Sequence, residues 1–213
     1  SLEIVISDNS LGTELVDYFS EKFPSVKTVK NKNIGFGGAC NRGFEISSGE
    51  YVLFLNPDTI LVEPVFKFAI ECFENEPNLA LFGVQLIDKN NNNVFSFGVS
   101  DIFNLPSALK NQWRIKRNKF KDKGMFISGA DLFVRRSVFE QAGKFDENIF
   151  MYLEETDLIR RIKQHCDVKQ VAFFNCKRII HLGGATDESC GDDKALRQAG
   201  NYEQSVRYYA EKY

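Results

Sequence analysis

An unbroken apolar run, Tyr51-Val52-Leu53-Phe54-Leu55, is cut off by Asn56-Pro57-Asp58. The run shows no polar alternation, which suits a strand covered on both faces, and Pro57 cannot donate the next ladder hydrogen bond. The chain therefore needs a layered α/β arrangement to hide this strand. Ligands of open α/β sheets bind at the carboxyl ends of the strands, where Asp58 is presented. A carboxylate so placed can hold a hard cation whose other ligands are phosphate oxygens and waters. An Asx or Pro turn leading into the next helix is the plainer alternative.

Strand and helix patterns alternate around that run. Residues 2–7, 26–29, 51–55 and 79–87 read as strands, and residues 13–23, 37–46 and 62–73 as helices, a βαβ rhythm. Asn90 to Asn93 is a turn signal, so residues 94–99 are expected to pair back antiparallel on the strand before it. From Asp101 to Gly124 the pattern weakens. It resumes as an apolar stretch over 125–134, a helix from Leu153, late strands over 168–174 and 179–182, and a tyrosine-rich helix over 196–213. With 213 residues and 43% hydrophobic content, the economical fold is one α/β domain. Its expected centre is a mixed, mostly parallel sheet flanked by helices, and 20 Phe imply a large aromatic core.

Several classes are disfavoured. A net charge of -2 gives no global electrostatic case for nucleic acid. The five cysteines are odd in number, widely spaced and free of C-x-x-C, which argues against a disulfide framework or zinc site and fits a reducing cytoplasm. No apolar stretch approaches the length of a membrane span, though surface attachment to a membrane stays open.

Three further segments carry candidate chemistry. Asn33-Ile34-Gly35-Phe36-Gly37-Gly38-Ala39-Cys40-Asn41-Arg42-Gly43 follows a strand and opens a helix, but it matches neither the dinucleotide fingerprint nor the P-loop. What remains is a backbone able to approach a ligand closely, or simply tight packing of a helix start on the sheet. In Glu154-Glu155-Thr156-Asp157-Leu158-Ile159-Arg160-Arg161, Glu155 shares a helical face with Leu158, Ile159 and Ile162, whereas Glu154, Asp157 and Arg161 fall on another. An inward carboxylate beside apolar neighbours has its pKa raised, as a general base near neutral pH requires. Asp157 and Arg161, one turn apart, can pair and stiffen that turn; three acids at a helix start also simply complement its dipole. His181 ends a strand before Gly183-Gly184 and can complete a cation site or serve as an ordinary structural histidine.

In order, Asp8-Asn9-Ser10, Asn33-x-Gly35 with Asn41-x-Gly43, Leu55-Asn56-Pro57-Asp58, Ser128-Gly129-Ala130 with Arg135-Arg136, Gly143-x-Phe145-Asp146-Glu147, the 154–161 cluster and His181-x-Gly183-Gly184 resemble family 2 glycosyltransferases, nearest to the bacterial rhamnosyltransferase-like branch. The resemblance runs to about Thr186. It implies a GT-A fold and an inverting transfer from a nucleotide-diphospho-sugar to the hydroxyl of a glycan or lipid-linked glycan acceptor. It further implies Mg²⁺ or Mn²⁺ held by Asp58 and His181, a nucleotide base contacted by Asp8, and donor contacts at Asn33, Gly35, Asn41, Asn56 and Arg161. Gly129, Ala130 and Glu154 then fall on the acceptor side, and Glu155, supported by Asp157, is the catalytic base. Residues 1–100 would form the donor-binding half and 101–213 the acceptor-binding, catalytic half of one domain. Three departures stand out: the chain opens at what resembles the family's second strand, so an earlier strand and helix are expected upstream; D-x-D is reduced to Asn56-x-Asp58; and Glu155 stands where Asp is more frequent.

Residues 113–123 form a basic stretch with interleaved aromatics, read either as a solvated loop or as an arm toward an anionic membrane or lipid-diphosphate acceptor. Two other readings of the whole chain are a non-catalytic nucleotide-sugar-binding module and a nucleotidyltransferase, although the latter would want a Gly-rich, Lys/Arg-bearing loop near the start.

Overall fold

The apolar run becomes strand β3 (Tyr51–Leu55), which ends just before Asn56-Pro57, but it is an edge strand of its sheet with only Phe54 buried and Leu55 exposed, so the cover expected on both faces is partial. A computed structural model describes residues 1–100, 104–183 and 191–213; Gly184, Thr186 and Cys190 lie outside them. Before β3 come β1 (Val5–Asp8), α1 (Glu14–Lys22), β2 (Lys27–Lys30) and α2 (Gly35–Glu45). After it follow β4 (Thr59–Leu61), α3 (Val65–Asn75), β5 (Leu79–Ile87), β6 (Phe97–Val99), α4 (Leu105–Ile115), β7 (Met125–Ile127) and β8 (Asp131–Arg135). The order closes with α5 (Arg136–Gln141), α6 (Glu154–His165), β9 (Gln170–His181) and α7 (Gly191–Lys212).

The central sheet has the order β3-β8-β5-β9-β4, with β1-β2 and β6-β7 as separate pairs. The α/β class and the mixed sheet are as expected, but the balance of directions differs. Strands β3, β5 and β9 run one way, yet β8 inserts between β3 and β5 and β4 lies on β9, so only β5-β9 is a parallel pair in this sheet. Alternate residues of β8 feed two cores. Leu132 and Val134 pack with Phe54, Phe139, Phe145, Leu158 and Ile162 under α5 and α6, while Phe133 joins Phe82, Phe73, Val65 and Ala69 under α3. The abundant Phe is used here: Phe82 stacks on Phe133 at 4.7 Å, and Phe139 meets Phe44, Phe54 and Phe145 at 4.8–5.2 Å.

Several sequence expectations are corrected. Residues 94–99 pair back on β5 only at their start. Beside the isolated antiparallel Ile87–Asn93 bridge the Val94 N–H donates to the Leu86 carbonyl at 3.0 Å, after which the Ser96 hydroxyl accepts the Leu86 N–H at 2.8 Å and breaks the ladder, and β6 pairs with β7 instead. The apolar stretch 125–134 is two strands in different sheets, divided at Ser128-Gly129-Ala130. The two late strands are one, β9, whose register slips from Val84–Phe174 to Gln85–Arg178. The helix expected from Val62 starts at Val65 after Pro64, because the preceding residues form β4. Finally, the weak stretch 101–124 contains α4, whose N-cap Asn104 accepts the Ser107 N–H.

Candidate active site

The carboxyl ends of β3 and β9, the start of β8 and the N-terminus of α6 meet at one edge of the sheet. The Asn56 N–H donates to the Ala130 carbonyl at 3.1 Å, tying the end of β3 to the loop between β7 and β8. One residue earlier, the Gly129 N–H donates to Glu155 Oε1 at 2.7 Å. A Cβ on Gly129 would lie 2.5 Å from that oxygen and 3.0 Å from the Phe36 ring, so only glycine lets the acid seat there. Asn56, Ala130, Gly129 and Glu155 are thus one connected series.

Asp58 is buried beside His181, which β4-β9 pairing sets opposite Thr59. His181 Nε2 lies 3.2 Å from Asp58 Oδ1, yet it is out of line for a hydrogen bond, and that oxygen has no donor. A buried carboxylate oxygen without a donor, next to an imidazole nitrogen, fits two ligands of a divalent cation whose remaining ligands come from phosphate and water. Among the described residues no cluster of three or more such ligands exists, so the protein supplies only part of a coordination sphere.

Helix α6 begins after two residues, Tyr152 and Leu153, both at φ 71° in the left-handed region. Neither is glycine, so the turn that aims the first helical residues stores strain. Gly35, at φ 80°, lets the start of α2 press on this turn: the Phe36 N–H donates to the Phe150 carbonyl at 3.1 Å. Glu154 is 2% exposed and Asp157 0%. The face that carries them was expected to lie apart from the core. It is covered instead, by α2 on the Glu154 side and by α7 on the Asp157 side, whereas Glu155 keeps partial access to solvent. Burial raises the pKa of both glutamates, and for Glu154 the charge of Glu155 raises it further. Cys40 lies near both, and burial first, then their charges, push its thiol up as well.

Asp157 is a support. Its Oδ2 accepts from Arg161 Nε at 2.7 Å, and its Oδ1 accepts from Lys212 Nζ at 2.6 Å and the Tyr213 hydroxyl at 2.8 Å. Arg161 also reaches the Ala142 carbonyl, which places it behind α6. Asn41 is committed too, exchanging hydrogen bonds with the Phe145 backbone and donating to Glu147. Asn33 is exposed and caps the Gly35 N–H through its side chain at 3.3 Å. Asp8 ends β1, where Lys30 sits 3.0 Å from Oδ2. Burial works to raise its pKa, but the Ser10 and Lys30 hydrogen bonds outweigh it and the carboxyl lies below its ordinary value. Asn9 donates to the Gly35 carbonyl and so links this end of β1 to α2. The motif arginines Arg135 and Arg136 are structural, donating to the carbonyls of Leu79 and Gly49.

Sequence reasoning missed Lys30, Phe36, Asp131 and the Lys212–Tyr213 contacts. Only Asp131 had a visible signal, as the single acid in an apolar stretch.

The strand order and the edge where these groups meet are those of a GT-A glycosyltransferase fold. The glycosyl transferase family 2 model matches residues 2–143, and the chain belongs to that family. An N-acetylglucosaminyl-diphospho-decaprenol L-rhamnosyltransferase of Mycobacterium tuberculosis is 24% identical over 187 residues, 76% of this chain and 61% of that protein. The uncharacterized glycosyltransferase YibD of Escherichia coli is 38% identical over 63 residues, 27% of this chain and 18% of its own length. The chain thus spans less than two thirds of these relatives. Among solved structures, the mannosyltransferase PcManGT of Pyrobaculum calidifontis, in complex with GDP-Man and Mn²⁺, superposes with a TM-score of 0.62 at 16% identity, covering 99% of this chain and 55% of that one.

Proposed function

We propose that this chain carries the catalytic edge of an inverting, metal-dependent glycosyltransferase that moves a sugar from a nucleotide-diphospho-sugar to an acceptor hydroxyl, with Glu155 as general base. The seating of Glu155 carries the reading: a carboxylate of raised pKa, partly open to solvent, held by the Gly129 N–H on a loop bonded to the turn that leads from β3 to Asp58. An inverting displacement needs a proton acceptor on one side of the anomeric carbon and charge neutralisation on the other. General-base assistance is worth about 10²–10⁴ in rate. Asp58 and His181 would hold Mg²⁺ or Mn²⁺, which when bound offsets charge on the departing diphosphate. Glu155 accepts the acceptor's proton, Asp157 and Arg161 fix the helix that carries it, and Phe36 limits water beside it.

Asp8 and Asn33 on the 1–100 half would meet the nucleotide, and the Gly129-Ala130 loop the acceptor, while Glu154, covered by α2, would support the turn that carries Glu155 rather than touch the acceptor. The likeness to a diphospho-decaprenol rhamnosyltransferase favours dTDP-rhamnose and a lipid-linked glycan, in surface polysaccharide synthesis on the cytoplasmic side; UDP-hexoses are the competing donors. No helix among the described residues is long and apolar enough to cross a membrane.

The test is a donor screen with Mn²⁺ on wild type and Glu155→Gln, following nucleoside diphosphate release and the anomeric configuration of the product. Transfer with inversion, abolished in the variant with donor affinity kept, supports the reading. Pyrophosphate release would instead mark a nucleotidyltransferase, and donor binding without transfer a non-catalytic module.

A further inference from the structure

Helix α4 leaves its apolar stripe in water. Leu105, Leu109 and Trp113 recur every four residues, so they lie on one helical face, and they are 68%, 62% and 53% exposed. The opposite face is fixed to the protein: Asn111 is buried and donates to the Gly124 carbonyl at 3.1 Å, and Ile115 packs on the larger core. The stripe is therefore a rigid feature of the surface. Between Leu105 and Lys123 there are seven cations (Lys110, Arg114, Lys116, Arg117, Lys119, Lys121 and Lys123) against one acid, Asp122, in a chain of net charge -2. That acid is already paired with Lys163. The Arg117 guanidinium lies over the Trp113 ring at 3.6 Å, putting a cation directly at the edge of the stripe.

We propose that α4 docks this protein on an anionic phospholipid surface, with Leu105, Leu109 and Trp113 entering the headgroup boundary and Lys110, Lys116 and Arg117 pairing with lipid phosphates. Apolar side chains on one face with Lys and Arg beside them are the arrangement by which a helix lies in a bilayer interface, and the clustered positive charge selects an anionic one. The position matters for the glycosyl-transfer reading, since β7, the partner of the strand beneath α4, runs directly into the Gly129 loop that seats Glu155. Docking there would bring the acceptor edge toward a lipid-linked substrate.

Trp113 is the only tryptophan, which makes it a built-in reporter. The experiment adds vesicles of phosphatidylglycerol and phosphatidylcholine, or of phosphatidylcholine alone, to the protein and reads both sedimentation and Trp113 emission. Expected are co-sedimentation and a blue shift with the anionic vesicles, both reversed by salt. Lys110→Gln with Lys116→Gln should weaken binding by roughly fivefold per charge. Leu105→Ser with Leu109→Ser should abolish the blue shift while the melting temperature stays unchanged. No binding to anionic vesicles at low salt overturns the proposal, as does sedimentation with unchanged Trp113 emission. A dimer in centrifugation that Leu109→Ser converts to monomer would also overturn it, since a second copy would then occupy the face. Binding is read without donor or turnover, so an inactive wild type would count against the glycosyl-transfer reading and leave this result standing.

Discussion

The Gly129 N–H and Glu155 Oε1, 2.7 Å apart, join the loop at the end of the central sheet to the first turn of α6 across 26 residues of sequence. Side-chain volume at position 129 therefore controls where the acid sits. Gly129→Ala puts a methyl group on Oε1 and against the Phe36 ring, and the acid is the group free to move. Turnover is expected to fall by more than about tenfold, roughly 1.4 kcal/mol in the barrier, with donor affinity nearly unchanged. Steady-state kinetics beside donor titration check this; equal loss of both would indicate general disruption of the site.

The pH profile follows from the same acid. Burial holds the Glu155 pKa above its ordinary 4.5, and a general base works only as the carboxylate. Activity is accordingly full above the folded pKa and lost as pH falls through it, at a higher pH than an exposed glutamate would give. A kcat/KM profile whose acid limb sits at the ordinary carboxylate value would contradict this.

Asp58 Oδ1 has no hydrogen-bond donor despite its burial, and an amide there would keep the size while removing the charge. Asp58→Asn should eliminate the extra thermal stabilisation that a nucleoside diphosphate gains from Mn²⁺, and leave the metal-free shift intact. Equal metal-dependent shifts in wild type and variant would overturn the proposal that Asp58 holds a cation.

Asp131 is fully buried and offers one oxygen to the Val84 N–H at 2.7 Å, while the other has no partner. Burial raises its pKa well above the ordinary 3.8, so folding becomes less favourable as pH rises above that value and up to the folded pKa. Asn can accept the same N–H without ionising. Asp131→Asn should match wild type at acid pH and exceed it near neutrality by about 1–3 kcal/mol, roughly 2–12 °C in melting temperature. Parallel melting curves across pH would refute the assignment.

Lys212 holds Asp157 and Asp146, each at 2.6 Å, and so fastens the end of α7 to the back of α6. Lys212→Met leaves Asp157 with Arg161 and Tyr213 only, a loss of about 1–3 kcal/mol for a buried hydrogen-bonded charge. Hydrogen exchange over residues 150–158 should rise in the variant, and unaltered protection would show that α7 does not brace that turn.

What the sequence alone determined were the local facts. A strand must end where Pro57 withholds its donor, α6 must present Glu155 with Leu158, Ile159 and Ile162, and a glycine-rich segment must open α2, because each depends on residues adjacent in the chain. The family order of these motifs was legible for the same reason. Which partners they meet was decided in three dimensions. Glu154 and Asp157 fell on a face that reads as polar, yet α2 and α7 cover it from more than 100 and about 55 residues away. The stretch 125–134 is continuous in hydrophobicity but divides between two sheets, because β6 claims its first part and β3 and β5 claim its second. Helix α4 was not legible in the sequence as a docked element, because its apolar residues divide between the two sides: Leu105, Leu109 and Trp113 face outward while Ile115 packs on the core and the buried anchor is the polar Asn111. Local stereochemistry sets where elements start and stop; burial and hydrogen-bond partnership arise only when distant segments close on one another.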